Sequence, residues 1–367
     1  MLSPDEIKRY QRHFVLPNFG QEAQEKLKNS SVLIVGLGAL GSPVSLYLAA
    51  AGIGRLGLVD ADSINITNLQ RQVLYREQDI NAKKLDRAID SINQLNHNVI
   101  LDAHPYFLNS DNALEIVSDY DLVIDCTDNF PTRYLVNDAC ILLNKPYVYG
   151  SIHQYEGQVS VFNANSDINY RDLFPEPPNP ESVPNCEEGG VLGSLAGIIG
   201  SIQANEAIKL LTNIGEPLIE KLFIFDSLTL DTRKIKLKSK NTKASVKSLI
   251  DYNEFCKIKN KMIKEVTVKE LHQMMENKED FQLIDVREPH EAEISTLNGE
   301  LIPLGQIPDN EDKIEKSKKV IIHCRSGARS GQAVNYLQGK LGLDNLYNLK
   351  GGILAWADEI DPTMEKY

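Results

Sequence analysis

Two short runs of residues have types and spacings that can do chemistry. In the first, Cys324-Arg325-Ser326-Gly327-Ala328-Arg329-Ser330 follows the apolar run Val320–His323 and leads into a helical pattern. A thiol placed there would be ringed by backbone N–H groups and a helix N-terminus, a nest that lowers a thiol's pKa and can hold an anionic sulfur. An inert buried cysteine would leave Arg325, Gly327 and Arg329 without a reason. In the second, Gly36-x-Gly38-x-x-Gly41 stands directly after the strand-like run Val32–Val35 and opens an Ala- and Leu-rich helix over about 40–51. Glycines there let a backbone approach a phosphate, and the helix N-terminus favours its charge. Asp60, ending the next strand, lies where an acid takes a ribose hydroxyl. On these residues alone NAD and ATP fit equally well.

What separates the two nucleotides is Asn68-Leu69-Gln70-Arg71-Gln72, then Lys84, then Asp125-Cys126-Thr127-Asp128-Asn129. Hydride transfer requires none of them. Displacement on a polyphosphate does: arginine and lysine offset its charge, and an aspartate at a strand end, here Asp128, can hold the accompanying Mg²⁺. Each charge taken singly reads as an exposed loop residue; together, in a nucleotide-binding frame, they point to ATP.

The elements that must position these groups follow from the apolar pattern. Runs ending at Val35, Asp60 and Asp125 alternate with helical segments, which predicts an α/β fold with a Rossmann-like parallel sheet. After Lys145 the runs PYVYGSIHQYEGQVSVF and KLFIFDSLTLDTRKIKL read as strand pairs, so the sheet is expected to continue antiparallel. Between them Asn163–Gly190 is rich in Pro, Asn and Glu and reads as a mobile loop carrying Cys186. Val191–Leu211 is apolar nearly all round and reads as a buried helix. The chain is predicted to divide into a nucleotide-binding domain over 1–238, a polar linker over 239–264 and a small α/β domain over 265–367.

Composition excludes several classes. With 42% hydrophobic and 25% charged residues the chain is a globular one, and its net charge of −12 offers no footprint for nucleic acid. No run approaches the length of a membrane span and the start lacks a signal-peptide core, so a cytoplasmic location is expected. Five scattered cysteines without a CxxC make neither a disulfide framework nor a zinc site.

RYQRH (Arg9–His13), GLGALGS, NLQRQ, DCTDN, NCEEGGVLG and QANEAIKLL together make residues 5–237 resemble the adenylyltransferases of the ubiquitin-activating superfamily, of the MoeB, ThiF and HesA type. Residues 265–367 resemble a rhodanese domain through LIDVREPHE, HCRSGARS and NLKGGILAW. The first resemblance implies ATP-dependent adenylylation of the C-terminal glycine carboxylate of a ubiquitin-like sulfur-carrier protein ending in Gly-Gly. Asp60 would bind the ribose, Asn68, Arg71 and Lys84 the triphosphate and Asp128 the Mg²⁺, while Arg12 would reach across a homodimer interface. Cys186 would be the loop cysteine that forms a thioester or acyl disulfide or resolves a persulfide. The second implies a persulfide on Cys324, supplied by a donor such as a cysteine desulfurase, with Arg329 closing the loop and binding anions. Asp285 and Arg287 would support that loop, and His290 would either join them or face solvent. A degenerate nucleotide-binding scaffold with only the rhodanese active is the alternative. Many relatives hold structural zinc in two CxxC pairs; the first here reads Asn169-Tyr170-Arg171-Asp172, and the second region offers only Cys256, which argues against zinc.

Overall fold

The computed structural model describes residues 1–178, 190–256 and 263–366, and the chain forms two units, residues 1–258 and 259–367. In the first, β1 (Ser31–Val35), β2 (Arg55–Val59), β3 (Ile100–His104), β4 (Leu122–Asp125), β5 (Tyr147–His153), β6 (Glu156–Phe162), β7 (Lys221–Asp226) and β8 (Thr232–Lys236) form one sheet in the order β3-β2-β1-β4-β5-β6-β7-β8. β3 through β5 in that order run parallel, and β6, β7 and β8 continue antiparallel. The central strands β1 and β4 read VLIV and LVID because helices cover both faces and both sets of alternate side chains are buried. Two apolar clusters result, one around Ile34, Val44 and Ile199 and the other around Leu33, Tyr134 and Tyr149.

The strand order reverses direction between β1 and β4, with Val35 beside Asp125. The crevice outside the carboxyl ends of strands at such a point is where open α/β sheets bind ligands. The glycine turn follows β1 and the Asp125–Asn129 turn follows β4, so the topology brings the two motifs together.

Two sequence expectations are modified. Within Asn163–Gly190, residues Tyr170–Leu173 form a helical turn, because Asn169 caps it by accepting from the Arg171 N–H at 2.9 Å; residues 179–189, Cys186 among them, lie outside the described residues. The stretch 239–264, expected as a linker, packs in its earlier part against the first unit. Its polarity hid Leu249, Tyr252, Phe255 and Cys256, which join the second cluster. Tyr252 donates its hydroxyl to Asp138 at 2.8 Å, and Asp138 also takes a two-pronged bond from Arg171 at 2.8 and 2.7 Å.

At the position of the relatives' first CxxC, Asn169 and Asp172 are knotted to Thr242. The Asn169 Nδ2 donates to Asp172 and Thr242 at 3.1 and 3.0 Å, Thr242 Oγ1 donates to Asp172 at 2.9 Å, and the Lys240 N–H does so at 2.7 Å. An inward-turned amide donor does not suit a cation site, so this donor set does not fit tetrahedral zinc. Cys256 is buried elsewhere, beside Arg171, its thiol pushed up to about 11 by burial.

The second unit is a five-stranded sheet, β9 (Glu265–Val266), β10 (Phe281–Asp285), β11 (Glu300–Leu301), β12 (Lys319–His323) and β13 (Leu346–Leu349), parallel throughout in the order β11-β10-β12-β13-β9. Cys324 follows the central strand. Among the described residues no helix is long and apolar enough to cross a membrane.

Candidate functional site

The glycine turn owes its shape to close backbone packing. Gly36 has φ +91°, and a Cβ there would sit 3.0 Å from the Cys126 carbonyl oxygen; a Cβ on Gly41 would sit 2.0 Å from the Gly36 oxygen. Only glycine allows the β1 turn, the β4 turn and the start of helix Gly41–Ala51 to converge. Asp60 then locks the turn: its Oδ2 accepts from the Leu37 N–H and its Oδ1 from the Asp62 N–H, both at 2.8 Å. Burial holds the Asp60 carboxyl above the usual carboxylate range, against the opposing pull of Lys84 and these two amides. Each oxygen keeps a lone pair for a further donor such as a ribose hydroxyl.

Around this turn opens a cleft lined among others by Gly36, Gly38, Asp60, Asp62, Arg71, Gln72, Lys84, Thr127, Asp128 and Arg133. Lys84, buried at the start of its helix, reaches Asp62 at 3.0 Å. Arg71 is half-buried with one N–H on the Thr67 carbonyl oxygen at 3.0 Å. Asp128 is exposed in the cleft. Two cations and an open carboxylate are a set that can offset the charge of a triphosphate and hold a hard cation through one oxygen ligand, and Mg²⁺ needs few protein ligands when phosphates supply the rest.

Asn68 and Arg12 are placed differently. Asn68 is buried outside the cleft lining, its Oδ1 accepting from the Asn65 N–H at 3.0 Å, so in this chain it shapes the turn that presents Arg71. Arg12 is exposed on helix Pro4–Phe14 and does not line the cleft.

Sequence reasoning missed Asp62 and Arg133. Asp62 is the partner that orients Lys84. Arg133 donates to the Thr127 carbonyl oxygen at 3.0 Å and lies over the Phe130 and Tyr149 rings, while Thr127 donates both N–H and hydroxyl to Asp125 at 2.9 and 2.6 Å. The signal was available: Arg133 is a lone charge in a stretch of helix, Arg133–Ile141, that is otherwise apolar or uncharged up to Asp138. Cys126, at the cleft floor, is a thiol that burial pushes far up, so it is no nucleophile at neutral pH.

In the second unit the Cys324 Sγ accepts from the Gly327 N–H at 3.2 Å and lies 3.3 Å from the Ser330 hydroxyl, with Gly327 (φ +96°) as the N-cap of helix Ala328–Leu341. The loop is braced from the NLKGG segment. The Ile353 and Leu354 N–H groups donate to the Cys324 and Arg325 carbonyl oxygens at 2.9 and 3.1 Å, and a Cβ on Gly352 would strike those oxygens at 2.5 and 2.6 Å.

Arg329 is bound two-pronged by Glu291, both contacts at 2.6 Å. Arg287, fully buried, grips Asp285 through Nε and Nη2 at 2.9 and 2.6 Å and reaches the Ser295 carbonyl oxygen at 2.8 Å. His290 faces solvent. His323, beside the thiol in sequence, is buried, and burial drops its imidazole to about 4, so it is neutral.

Residues 10–246 match the ThiF family and residues 267–359 the rhodanese-like domain. A relative from Mycobacterium tuberculosis described as a probable adenylyltransferase/sulfurtransferase MoeZ is 41% identical over all of this chain and 96% of its own length. The adenylyltransferase and sulfurtransferase MOCS3 of Drosophila sechellia is 40% identical over all of this chain and 86% of its own. Among solved structures, E. coli MccB with ATP shares the fold at 23% identity and a TM-score of 0.53, covering 62% of this chain and 71% of that one.

Proposed function

The chain belongs to the ThiF family and carries a rhodanese-like domain, and we propose that it adenylylates a ubiquitin-like sulfur-carrier protein and then delivers sulfur to the same carboxylate. The first reaction joins the carrier's C-terminal glycine carboxylate to the α-phosphate of ATP and releases pyrophosphate, which converts a poor leaving group, oxide, into a good one, AMP. The observation that carries the reading is the cleft at the reversal of strand order, which Lys84 and Arg71 line together with the glycine turn and where Asp128 stands open on the wall.

In that cleft Asp60 takes the ribose, while Lys84 and Arg71 offset the charge that gathers on the departing pyrophosphate. Asp128 is the protein ligand for Mg²⁺ travelling with the nucleotide, which when bound supplies further charge neutralisation. The turn built on Gly36, Gly38 and Gly41 lets the backbone and the helix start approach the phosphates closely, with the Gly36 N–H itself spent on the Val59 carbonyl oxygen at 2.9 Å. Arg12, exposed and outside its own cleft, serves the partner's nucleotide in a homodimer. No protein nucleophile is required, in keeping with an inert Cys126.

In the second reaction a Cys324 persulfide anion attacks the acyl-adenylate; the acyl–sulfur bond forms and AMP leaves. A thiolate, for which we propose Cys186, then attacks the resulting acyl disulfide and frees the thiocarboxylate, leaving a disulfide that a cellular thiol reduces. A cysteine desulfurase is the class of enzyme that supplies the persulfide, in the cytoplasm. Arg329 keeps the sulfur loop closed through Glu291.

ATP–pyrophosphate exchange with purified carriers ending in Gly-Gly tests the reading. Carrier-dependent exchange in the wild type, lost in Asp128→Ala, supports it. Absence of exchange with every carrier, alongside intact persulfide transfer, would leave a nucleotide-binding scaffold joined to a sulfurtransferase.

A further inference from the structure

Ser330 touches the sulfur but is committed elsewhere. Its hydroxyl, fully buried, lies 3.3 Å from Cys324 Sγ and 2.6 Å from the Asn348 side-chain oxygen. A hydroxyl has one hydrogen. With that hydrogen on Asn348, the thiol must be the donor, and the chain reads S–H to Oγ and O–H to the amide oxygen. An anionic sulfur has no hydrogen to give, so this hydroxyl stabilises it only if the whole chain reverses, with the amide N–H donating to Oγ and the hydroxyl donating to sulfur. An asparagine can serve both states, because a half-turn of its amide exchanges a donor for an acceptor in the same volume.

We propose that Asn348 is a positioning residue for Cys324 chemistry, acting through Ser330 as a reversible two-step relay that supplies a hydrogen bond to the sulfur when it becomes anionic and withdraws it when the sulfur carries a proton. This rests on Cys324 being the sulfur-bearing residue of the proposed function. The backbone that carries the relay is fixed: Asn348 lies on β13 in register with Ile322 of β12, is 6% exposed, and donates its own N–H to the Lys264 carbonyl oxygen at 2.9 Å. The side chain has room to turn, because its Nδ2 borders Gly327 and Gly331, where a Cβ would stand 3.7 and 3.8 Å away.

Charge alone leaves a need for such a device. Arg329 is matched by Glu291, Arg287 by Asp285, and His323 is neutral. Arg325 is the other charged group of the loop, and the Gly352 helix contributes N–H groups to carbonyl oxygens rather than to sulfur. The Gly327 N–H is a fixed donor to Sγ, and the relay is the switchable one. The step it serves is the loading of Cys324: its thiolate attacks the terminal sulfur of a donor persulfide, a new S–S bond forms, and the donor's sulfur leaves with the electron pair of the broken bond as a thiolate. No outside oxidant or reductant enters, and both the reactant and the product on Cys324 are sulfur anions.

The test is the pH dependence of Cys324 alkylation by iodoacetamide in the full-length protein, read on the Cys324 peptide by mass spectrometry. Ser330→Ala removes the donor and should raise the apparent thiol pKa by about one to two units, the scale of one hydrogen bond to a charged atom; Ser330→Thr should stay at the wild-type value. Asn348→Asp can only accept, so it should hold the Ser330 hydrogen away from sulfur and raise the pKa similarly. Its effect should vanish when Ser330 is already alanine, because the influence passes through that hydroxyl. A wild-type profile for Ser330→Ala, or an Asn348→Asp shift that persists in the double variant and so acts by charge alone, would overturn the relay. Ser330→Ala decides the matter even if the charged variant does not fold. Alkylation needs neither carrier nor donor. A wild type that cannot be loaded with persulfide would therefore count against the proposed function while the alkylation profile still judged the relay.

Discussion

The nucleotide cleft and the sulfur loop both present a site for an anion, and they are built in opposite ways. The cleft draws Gly36, Asp60, Lys84 and Asp128 from the ends of three strands and the start of a helix, so its precision comes from an eight-stranded sheet. The sulfur loop is one turn, residues 324–330, braced from outside by Glu291, Asn348 and Gly352. A dispersed site should lose function piecemeal while its scaffold stays folded. A local site should depend on a few buried braces, and losing one should cost the fold beneath it.

The largest effect expected is separation of the two chemistries. Cys324→Ser should lower sulfur transfer by on the order of 10³-fold or more, as removal of a reacting atom does, with ATP–pyrophosphate exchange unchanged. Lys84→Ala should lower exchange by on the order of 10²–10³-fold and leave persulfide loading of Cys324 as it was. Rate assays of both steps on both variants check this, and a substitution that depressed both reactions would erase the contrast.

Next in size is the brace beneath the sulfur loop. Arg287→Ala would leave the Asp285 carboxylate buried without its guanidinium, which costs about 3–5 kcal/mol. Denaturant unfolding should show the second unit melting early while exchange persists at low denaturant. Retention of full stability would show that the local site has no such dependence.

The same contrast explains what could be read from the sequence. The sulfur loop is contiguous, so its thiol, its glycine and its helix start lie side by side in the chain, and the glycines of NLKGG marked the brace. In the cleft, Gly36, Gly38, Gly41 and Asp60 were legible because a strand, a turn and a helix start have local signatures. Asp62 was not read, since its role arises from Lys84 at the start of a helix further along the chain, and Arg133 was passed over although it is a charge in a largely uncharged stretch of helix. Asn68 is a phosphate contact by resemblance alone; its Oδ1 accepts from the Asn65 N–H in its own turn, which the motif did not announce. The polar stretch after residue 238 hid Tyr252 and Cys256, whose burial depends on Asp138 and Arg171, distant in sequence. Cys186 lies outside the described residues.

A smaller effect follows from His323. Its imidazole titrates at about 4 in the folded chain against 6.5 when free, because burial disfavours the charged form, with Asp285 only partly opposing. The unfolded chain therefore takes up the proton first. The stability is whole above about pH 6.5 and is lost as pH falls toward 4, by up to roughly 3 kcal/mol. Unfolding of the second unit between pH 7 and 4 should show this loss, and His323→Leu should flatten it. An unchanged pH dependence in that variant would assign the acid sensitivity to other groups.

The smallest effect expected tests whether the first unit, too, relies on a local brace. Asn169, Asp172 and Thr242 tie two distant stretches at the place where the resemblance led to the expectation of a cysteine pair, and here the tie consists of neutral and charge-assisted hydrogen bonds. Thr242→Val keeps the shape and removes the hydroxyl that donates to Asp172 and accepts from Asn169, so it should cost about 1–2 kcal/mol, the scale of a part-buried polar group losing its partner. Because the knot needs no cation, a strong chelator should leave the unfolding midpoint of the wild type where it was. If the chelator lowered that midpoint, the hydrogen-bonded knot would not be what joins these segments. If Thr242→Val instead abolished exchange outright, the dispersed cleft would hang on a single brace after all, and the contrast between the two units would fall.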